Sequence, residues 1–469
     1  MYKNILSVII AIYMFLGGCT LIPEYTQPKP PVPGKWPQEG IYKKAEIRTG
    51  APVATKLSWQ KFFIDARLQK LIEMALANNR DLRLAALNVD YARALYGVRR
   101  AELFPSLTAA GSGSKQRVPA DLSSTGKSMI EKQYSVNLGI TSWEIDFFGR
   151  IRSLEEKALQ EYLATEQARR SAQISLISEV GRAYFRLAAD RQNLKLSEDI
   201  LKSREAMYSL ISRQYEVGVV NELDLRRVQT QVDTARGAVA RYTQLVAQDE
   251  NALNLLVGST VPRGLLPSNM DSVKPPEEIS SGLLSSVLLR RPDIISAEHR
   301  LKAAYANIGA ARSALFPRIA LTTSAGTASS ELSGLFEAGS RTWNFTPQIS
   351  VPIFDARTWA ALRVTKTERK IALAQYEKAI QTAFKEVADS LAAKGTIEQR
   401  IEAQQSLVDA LARTYQLSKE RYTKGIDSYL GVLDAQRSLY AAQQGLISLR
   451  LAKLANQIRL YAVLGGGAR

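Results

Sequence analysis

Residues 421–438 read RYTKGIDSYLGVLDAQRS, and residues 214–231 read QYEVGVVNELDLRRVQTQ, a second copy of the same pattern. Each copy has a polar turn that contains a glycine, followed by a long helical pattern. Glycine suits such a turn because it adopts a positive φ angle without steric cost. We call the copies tip 1 (residues 214–231) and tip 2 (residues 421–438), and together they predict a duplicated helical hairpin. The pairs that match at one offset of 207 residues are Tyr215 and Tyr422, Gly218 and Gly425, Leu223 and Leu430, and Gln229 and Gln436.

A second pair of stretches extends the repeat. Residues 81–107 read DLRLAALNVDYARALYGVRRAELFPSL, and residues 293–319 read DIISAEHRLKAAYANIGAARSALFPRI, which match at an offset of 212 without a gap. Several matches in the same order indicate an internal duplication. The sequence therefore predicts a mainly α protein with two copies of a helix, a strand pair, a long helix, a tip and another long helix. We place the first copy at residues 59–261, a proline-bearing linker at 262–291 and the second copy at 292–469.

Composition narrows the class of protein. The net charge is +17, but Lys and Arg are spread through the helical segments. This spread favours solvated helix faces over nucleic-acid binding. His299 is the only histidine, so a histidine-based metal cluster or a Ser–His–Asp triad has little material. We expect no metal site, no cofactor and no enzyme activity, since no convergent set of titratable groups appears at motif spacing.

The N-terminus has the layout of an export signal. Lys3 precedes an apolar run at residues 5–16, which is too short to span a bilayer and has the size of a secretory h-region. Residues 16–19 read LGGC and resemble a bacterial lipobox, so we expect a signal peptide at 1–18 and acylation of Cys19. A plain signal peptide with an incidental cysteine is the alternative. Thr20 follows, which by the same resemblance points to the outer membrane, and residues 19–58 are predicted to form an extended, lipid-anchored tether rather than a folded element.

In each copy the hydrophobic period changes to two after a Phe-Pro pair. We predict strands at 106–114 and 133–143, joined by a loop at 115–132, and at 318–327 and 342–352. Strands of roughly ten residues with one apolar face are typical of transmembrane β-strands. A small soluble sandwich is the alternative, although two hairpins alone would make a poor one. Trp143 and Trp343 suit either a membrane interface or core packing at the strand ends.

The remaining sequence is dominated by long helical patterns. Residues 59–77 predict a short helix, and residues 79–103 the first repeat helix, which Pro105 ends. Four longer segments contain no proline, and at about 1.5 Å per residue the longest reach roughly 95 Å. Patterns of this length indicate coiled-coil-like packing. The four segments are 150–213, 221–257, 357–421 and 429–464.

Strands and helices together predict a conduit. After the signal no segment is suited to a transmembrane helix, so a membrane span would require a closed barrel. Four strands per chain are too few, because single-chain barrels begin at about eight strands. Several chains would have to share one barrel, and their long helices would continue the tube on one side for roughly 100 Å.

Several motifs occur together: LFP at 103–105 and 315–317, WEIDFFGRIR from Trp143, PIFDAR from Pro352, the two Y-x-x-G tips and the lipobox. In combination they resemble the outer-membrane factor (TolC-like) family, in its lipoprotein, OprM-like (NodT) efflux branch. The resemblance implies a homotrimer with a shared twelve-stranded β-barrel in the outer membrane and an α-barrel in the periplasm. It also implies docking with a periplasmic adaptor and an inner-membrane pump, usually of the resistance–nodulation–division class, for export of drugs or other toxic solutes.

The same resemblance implies a periplasmic gate that opens like an iris. The gate residues would be Leu430, Asp434 and Arg437, with a weaker assignment for Asp224 of tip 1, to which Arg226 or Arg227 would bridge. Considered without the resemblance, the pattern L-x-x-x-D-x-x-R is also an ordinary helix face with an intrahelical ion pair. Adaptor docking is expected at the exposed turns, which contain Val217, Gly218 and Val219 in tip 1 and Lys424, Gly425 and Ile426 in tip 2.

Two other functions stay open at this point. One is an exit duct of the same fold that serves type I protein secretion. The other is a non-channel periplasmic adaptor or scaffold, which would have no membrane strands. The lipobox and the two compact repeats favour efflux.

Overall fold

The structure is a computed structural model, and it describes residues 20–45, 54, 57–280 and 284–467. The predicted signal peptide and the predicted acylation site at Cys19 lie outside these residues. In chain order the regular elements are α1 (Trp59–Phe62), α2 (Ala66–Asn78), α3 (Arg80–Ala101), β1 (Leu107–Val118), β2 (Met129–Ile145), α4 (Arg150–Glu216), α5 (Glu222–Val257), α6 (Pro292–Ser313), β3 (Arg318–Ser329), β4 (Arg341–Ser350), α7 (Ala356–Thr423) and α8 (Tyr429–Val463).

The order of these elements repeats once along the chain. Helices α3 and α6 each have 22 residues, α4 and α7 have 67 and 68, and α5 and α8 have 36 and 35. The copies differ mainly in one strand, since β2 has 17 residues and β4 has 10. The longer β2, offset in part by slightly longer connections in the second copy, gives the five-residue change of offset from 212 to 207. The linker between the copies carries short 3₁₀ helices at Arg263–Leu265, Met270–Ser272 and Ser285–Arg290.

The four strands form one antiparallel sheet in the order β1-β2-β3-β4. The predicted loop at 115–132 is wrong at both ends, because the β1–β2 ladder continues from Lys115↔Lys132 to Val118↔Met129. Polar side chains support this outer part, where Gln116 Nε2 donates to Glu131 Oε2 at 3.0 Å. A bulge interrupts the β2–β3 register between Ile140 and Trp143, with Ser142 at a φ of 53°.

The register divides the sheet into two faces of different chemistry. Leu138 pairs with Ala109 and Ala325, and Ala325 pairs with Trp343, so these side chains share one face. The opposite face is lined by hydroxyl, amide and glycine residues. The apolar face further includes Leu107, Val136, Ile140, Leu321 and Phe345, and the polar face includes Thr108, Ser112, Ser135, Asn137, Gly139, Ser324, Asn344 and Thr346.

The chain divides into two compact units, and each unit takes segments from both copies of the repeat. The strand unit comprises the described part of Met1–Lys29 together with Asn88–Thr165 and Ser296–Tyr376. The tip unit comprises Pro30–Leu87, Glu166–Ile295 and the described part of Glu377–Arg469. A single copy of the repeat is therefore not a compact domain.

Within the strand unit, α6 packs on α4 through small residues. Ser296 Oγ donates to the carbonyl oxygen of Ala164 at 2.8 Å. His299 Nδ1 shares a hydrogen bond with Gln160 Oε1 at 2.7 Å, which is a packing role for the single histidine. At the end of the strands, Arg150 binds Glu144 through two hydrogen bonds of 2.8 Å.

The predicted extended tether contacts both units, and of its described residues only Gly40–Ala45 form a regular element. In the strand unit, Tyr25 lies edge-on to Tyr305, and its hydroxyl donates to Glu298 Oε1 at 3.2 Å. In the tip unit, Trp36 stacks on Phe384 with a centroid distance of 5.1 Å, and a 3₁₀ helix covers Gly40–Ala45. The tether is extended but held, because its aromatic side chains gain buried contacts.

The single helix predicted at 59–77 is wrong, because two helices occupy this region. Asp65 breaks the pattern and caps α2, since its Oδ1 accepts from the Arg67 amide at 2.9 Å. Tyr184 donates to the other carboxylate oxygen of Asp65 at 3.3 Å. Phe62 of α1 stacks on Tyr461 with a ring-centroid distance of 4.0 Å, and Leu71 of α2 is also buried. Both helices therefore belong to the core of the tip unit.

Candidate functional site

The turns of the two tips have the same backbone. Gly218 and Gly425 adopt φ angles of 76° and 70°. In tip 1 the amide of Val219 donates to the carbonyl of Gln214 at 2.8 Å, and in tip 2 Ile426 donates to Arg421 at 3.0 Å. These six-to-one bonds with a left-handed glycine are the usual ending of an α-helix, so both glycines are required by the turn geometry.

The predicted docking residues are presented to solvent at these turns. Val217 and Val219 expose 74% and 69% of their surface in tip 1, and Ile426 exposes 58% in tip 2, next to the exposed Lys424. Burial of these apolar side chains by a partner would be favourable. The two turns differ in chemistry, because tip 1 is apolar whereas tip 2 combines one apolar residue with a lysine.

The predicted gate residues lie on the first three turns of α8. Leu430 is 54% exposed, and Asp434 and Arg437 are exposed. Their neighbours Val432 and Leu433 are buried in the tip unit. The three gate residues therefore face away from the packing of their own chain. Arg437 Nη2 donates to Asp434 Oδ1 at 2.8 Å, which is the intrahelical pair that an ordinary helix face would also form.

Asp224 lies in the first turn of α5. Of the two expected partners, Arg227 bridges to it at 3.7 Å, whereas Arg226 binds Glu222 and Gln229. Burial raises the pKa of the Tyr422 hydroxyl, and the negative charge of Asp224 raises it further, so the two tips are neighbours in the tip unit.

A row of hydrogen bonds between neutral side chains, which we call the seam, holds α8 against the hairpin of α4 and α5. Three α8 residues spaced four apart provide it. The contacts are Gln436 to Ser203 at 3.3 Å, Tyr440 with Ser197 at 2.8 Å, and Gln444 to Tyr242 at 2.8 Å. The seam starts two residues after Asp434 and leaves the first turn of α8 outside it.

The structure adds a contact in tip 2 that the sequence analysis missed. Arg421 binds Asp427 through two hydrogen bonds, Nε to Oδ2 at 2.5 Å and Nη2 to Oδ1 at 3.1 Å. These bonds lower the pKa of the Asp427 carboxyl and raise that of the Arg421 guanidinium. At the offset of 207, the equivalent positions in tip 1 are Gln214 and Val220. This difference between otherwise matching turns was the signal in the sequence that could have predicted the Arg421–Asp427 contact.

The two tryptophans at the strands have different environments. Trp343 is exposed on the apolar face, whereas Trp143 is half-buried beside the bulge, and its Nε1 is buried. No helix within the described ranges has both the length and the apolar content that a membrane span requires. In the same ranges, no three His, Cys, Asp or Glu side chains come together as a set of metal ligands.

Comparison with known proteins gives a consistent picture. The family described as "Outer membrane efflux protein" matches residues 71–259 and 283–466. The toluene efflux pump outer membrane protein TtgC of Pseudomonas putida is 49% identical over 469 residues, which cover 100% of this chain and 96% of the relative. The antibiotic efflux pump outer membrane protein ArpC of Pseudomonas putida has the same identity and coverage.

Similarity extends to a solved structure. The open state of the Neisseria gonorrhoeae MtrE outer membrane channel superposes with a TM-score of 0.85 at 38% identity. The alignment covers 96% of this chain and 99% of that channel.

Proposed function

This chain belongs to the outer membrane efflux protein family, and we propose that it forms an exit duct through which solvents, antibiotics or other toxic solutes leave the cell. The observation that carries the proposal is the sheet with one apolar and one polar face. In a bilayer, the apolar face suits lipid and the polar face suits a water-filled lumen. An enzyme has no place in this proposal, since the relatives are named as efflux pump components and an outer membrane channel.

Closure of the barrel requires further copies of the chain. Strands β1 and β4 are the outer strands of the sheet, so each has one edge without a strand partner in the described chain. Unpaired backbone groups are costly in lipid. Three copies would contribute twelve strands, which exceeds the smallest barrels of about eight.

The internal repeat indicates how neighbouring protomers pack against one another. Ser296 of α6 binds Ala164 of α4 within one chain. In the internal repeat, Leu84 of α3 is the equivalent of Ser296, and Ile371 of α7 is the equivalent of Ala164. Both side chains are exposed in the single chain. We therefore propose that α3 of one protomer packs on α7 of the next. A head-to-tail contact of this kind forms a closed ring when the rotation from one protomer to the next is one third of a turn.

Two further features complete the duct. In a symmetric ring, Leu430 of each protomer would approach the axis as an apolar constriction, and the Asp434 carboxylates would need the nearby Arg437 side chains to offset their mutual repulsion. Acylation of Cys19 would anchor each protomer in the outer membrane, since two or more acyl chains give stable attachment.

The partners follow from the exposed tips. The apolar turn of tip 1 and the mixed turn of tip 2 suit the hairpin of a periplasmic adaptor, which would connect the duct to an inner-membrane pump of the resistance–nodulation–division class. Outer-membrane lipid is the other partner. The exposure of Val217, Val219 and Ile426 supports this docking site.

Single-channel conductance of the purified protein in planar bilayers tests the proposal. The wild type is expected to be mostly closed, and Leu430→Ala and Asp434→Ala are expected to conduct several-fold more. Leu223→Ala is the matched control, because Leu223 is the exposed equivalent of Leu430 in tip 1.

Each outcome separates the parts of the proposal. Equal conductance of all four proteins would keep the duct and remove Leu430 and Asp434 as its gate. Absence of conductance from a folded, detergent-stable oligomer would favour a scaffold or adaptor instead.

A further inference from the structure

The two tips close the same backbone turn with different side chains. In tip 1, Asn221 caps the following helix, because its Oδ1 accepts from the Asp224 amide at 3.0 Å. In tip 2, the equivalent Ser428 makes no capping hydrogen bond, and the first turn of α8 contains no acidic residue. The equivalent amide of tip 2, that of Gly431, donates instead to the backbone carbonyl of Ser428 at 3.3 Å. The start of α8 therefore lacks the side-chain acceptor that stabilises the start of α5.

Tip 2 carries the Arg421–Asp427 contact instead, and we call it the tip clasp. Arg421 lies in the last turn of α7, and Asp427 lies two residues before α8. The two hydrogen bonds of the clasp thus join the end of one helix to the residue that leads into the next. A bidentate guanidinium–carboxylate pair fixes orientation as well as distance.

The clasp is close to the proposed constriction. Leu430 is the second residue of α8 and lies three residues after Asp427. The seam from α8 to the hairpin of α4 and α5 begins only at Gln436. At this end of α8 the ring of Tyr429 adds a contact, with its centroid 5.1 Å from that of Tyr422. Val432 and Leu433 are buried beside Leu430, so the clasp acts together with these apolar contacts on the position of the first turn of α8.

We propose that Arg421 and Asp427 are positioning residues for the constriction: the tip clasp substitutes for the missing helix cap and holds Leu430 in the closed ring. This inference rests on the proposed gate at Leu430. Both members of the clasp are partly exposed, so salt screens the contact. An adaptor that docks at Lys424 and Ile426 would bind within the seven residues that the clasp spans, and could release it.

Conductance of clasp variants in planar bilayers tests the inference. Asp427→Ala and Arg421→Gln are each expected to raise the closed-state conductance several-fold. Adding Ser428→Asn to Asp427→Ala is expected to return the conductance towards the wild-type value, because it installs the cap that Asn221 provides in tip 1.

Because an added cap also stabilises the fold in general, the melting temperature of each variant is measured as well. A rise in conductance at an unchanged melting temperature assigns the effect to the position of Leu430, whereas a rise that only follows the melting temperature would overturn it. Lys385→Gln is the matched control, since it removes an exposed ion pair with Asp389 on the same helix α7, away from both tips.

A double variant separates this inference from the proposed gate. If the clasp acts through Leu430, Leu430→Ala with Asp427→Ala conducts no more than Leu430→Ala alone. Wild-type conductance of Asp427→Ala, while Leu430→Ala is open, would overturn the role of the clasp and keep the gate. An open Asp427→Ala beside a closed Leu430→Ala would overturn the inference, because the clasp would then not act through Leu430.

Discussion

Ile22 packs so closely against Gly309 that a β-carbon at the glycine would lie 2.6 Å from Ile22 Cγ1 and 2.7 Å from Ser153 Oγ. The glycine thus allows the tether and α4 to approach α6 at the same point. Arg312 strengthens the contact, since its Nη1 donates to the carbonyl of Leu21 at 3.2 Å. The chain that follows the proposed lipid anchor is therefore fixed to the C-terminal end of the helix that leads into β3.

The first prediction concerns this contact. Gly309→Ala should destabilise the protein by about 1–3 kcal/mol, because an extra methyl group in a packed site forces its neighbours to shift. Thermal unfolding in detergent measures the effect. Gly237→Ala is the control within helix α5, where the added carbon would meet no atom within 4 Å. Equal melting temperatures of Gly309→Ala and the wild type would contradict the close packing of the tether.

The second prediction concerns the two faces of the sheet. Phe345 lies on the apolar face and Asn344 on the polar face, and both are exposed in the single chain. Phe345→Lys should strongly reduce the amount of stable oligomer in the outer membrane, since a lysine facing lipid costs about 2–4 kcal/mol near the bilayer midplane. Asn344→Lys should have little effect, because its side chain would face water. Heat-modifiable migration of membrane fractions compares the two, and an equal loss in both variants would argue against a lipid-facing side at Phe345.

The third prediction concerns pH. Asp249 of α5 is buried and interacts with the carboxyl of Asp190 of α4, while Arg186 is the nearby positive charge. Burial, followed by the contact with Asp190, raises the pKa of Asp249 to about 7 from 3.8. The folded state therefore binds this proton more tightly than the unfolded state, so acidification from above pH 7 towards pH 4 stabilises the fold.

Asp249→Asn should remove this dependence, because an amide imitates the protonated acid. At pH 8 the melting temperature of the variant should exceed that of the wild type by at least about 2 °C, and the difference should shrink at pH 6. Glu205→Gln, in an exposed pair with Arg236, is the control and should not change the comparison between the two pH values. A melting temperature of Asp249→Asn below that of the wild type at pH 8 would contradict the raised pKa of Asp249.

The fourth prediction concerns the anchor. The mature wild-type chain should begin at Cys19 and carry a diacylglycerol and an amide-linked acyl chain, whereas Cys19→Ser should carry neither. Mass spectrometry of the N-terminal peptide measures the difference. An unmodified Cys19 within an otherwise processed chain would restore the alternative of a plain signal peptide.

Much of the fold was predictable because it is encoded by local periodicity. The tips, the long helices and the alternating strands each repeat a pattern within a few residues, and the duplication shows every pattern twice. The predicted loop at 115–132 was wrong because its polar composition does not distinguish a loop from strands that pair beyond the apolar zone. The break at Asp65 was missed because a helical hydrophobic pattern continues across the capping residue.

Some features of the candidate site were also predictable from local patterns, and others were not. The positions of Leu430 and Asp434 follow from helical spacing and the family resemblance, and the glycines of the turns follow from the need for positive φ angles. The contact of the buried Asp249 with Asp190 and the docking of Ile22 on Gly309 were not predictable. These pairs join residues that are far apart in the chain, and only the packing of remote helices brings them together.

By itself, the sequence determined the duplication, the two tips and the membrane-type strands, because these depend on conformational preferences and spacing within one element. The tertiary structure alone decided which small residue accepts the tether, which buried acid has a raised pKa and how tip 2 is closed. Each of these depends on burial and on the direction of side chains, which are set only when separate segments pack against one another.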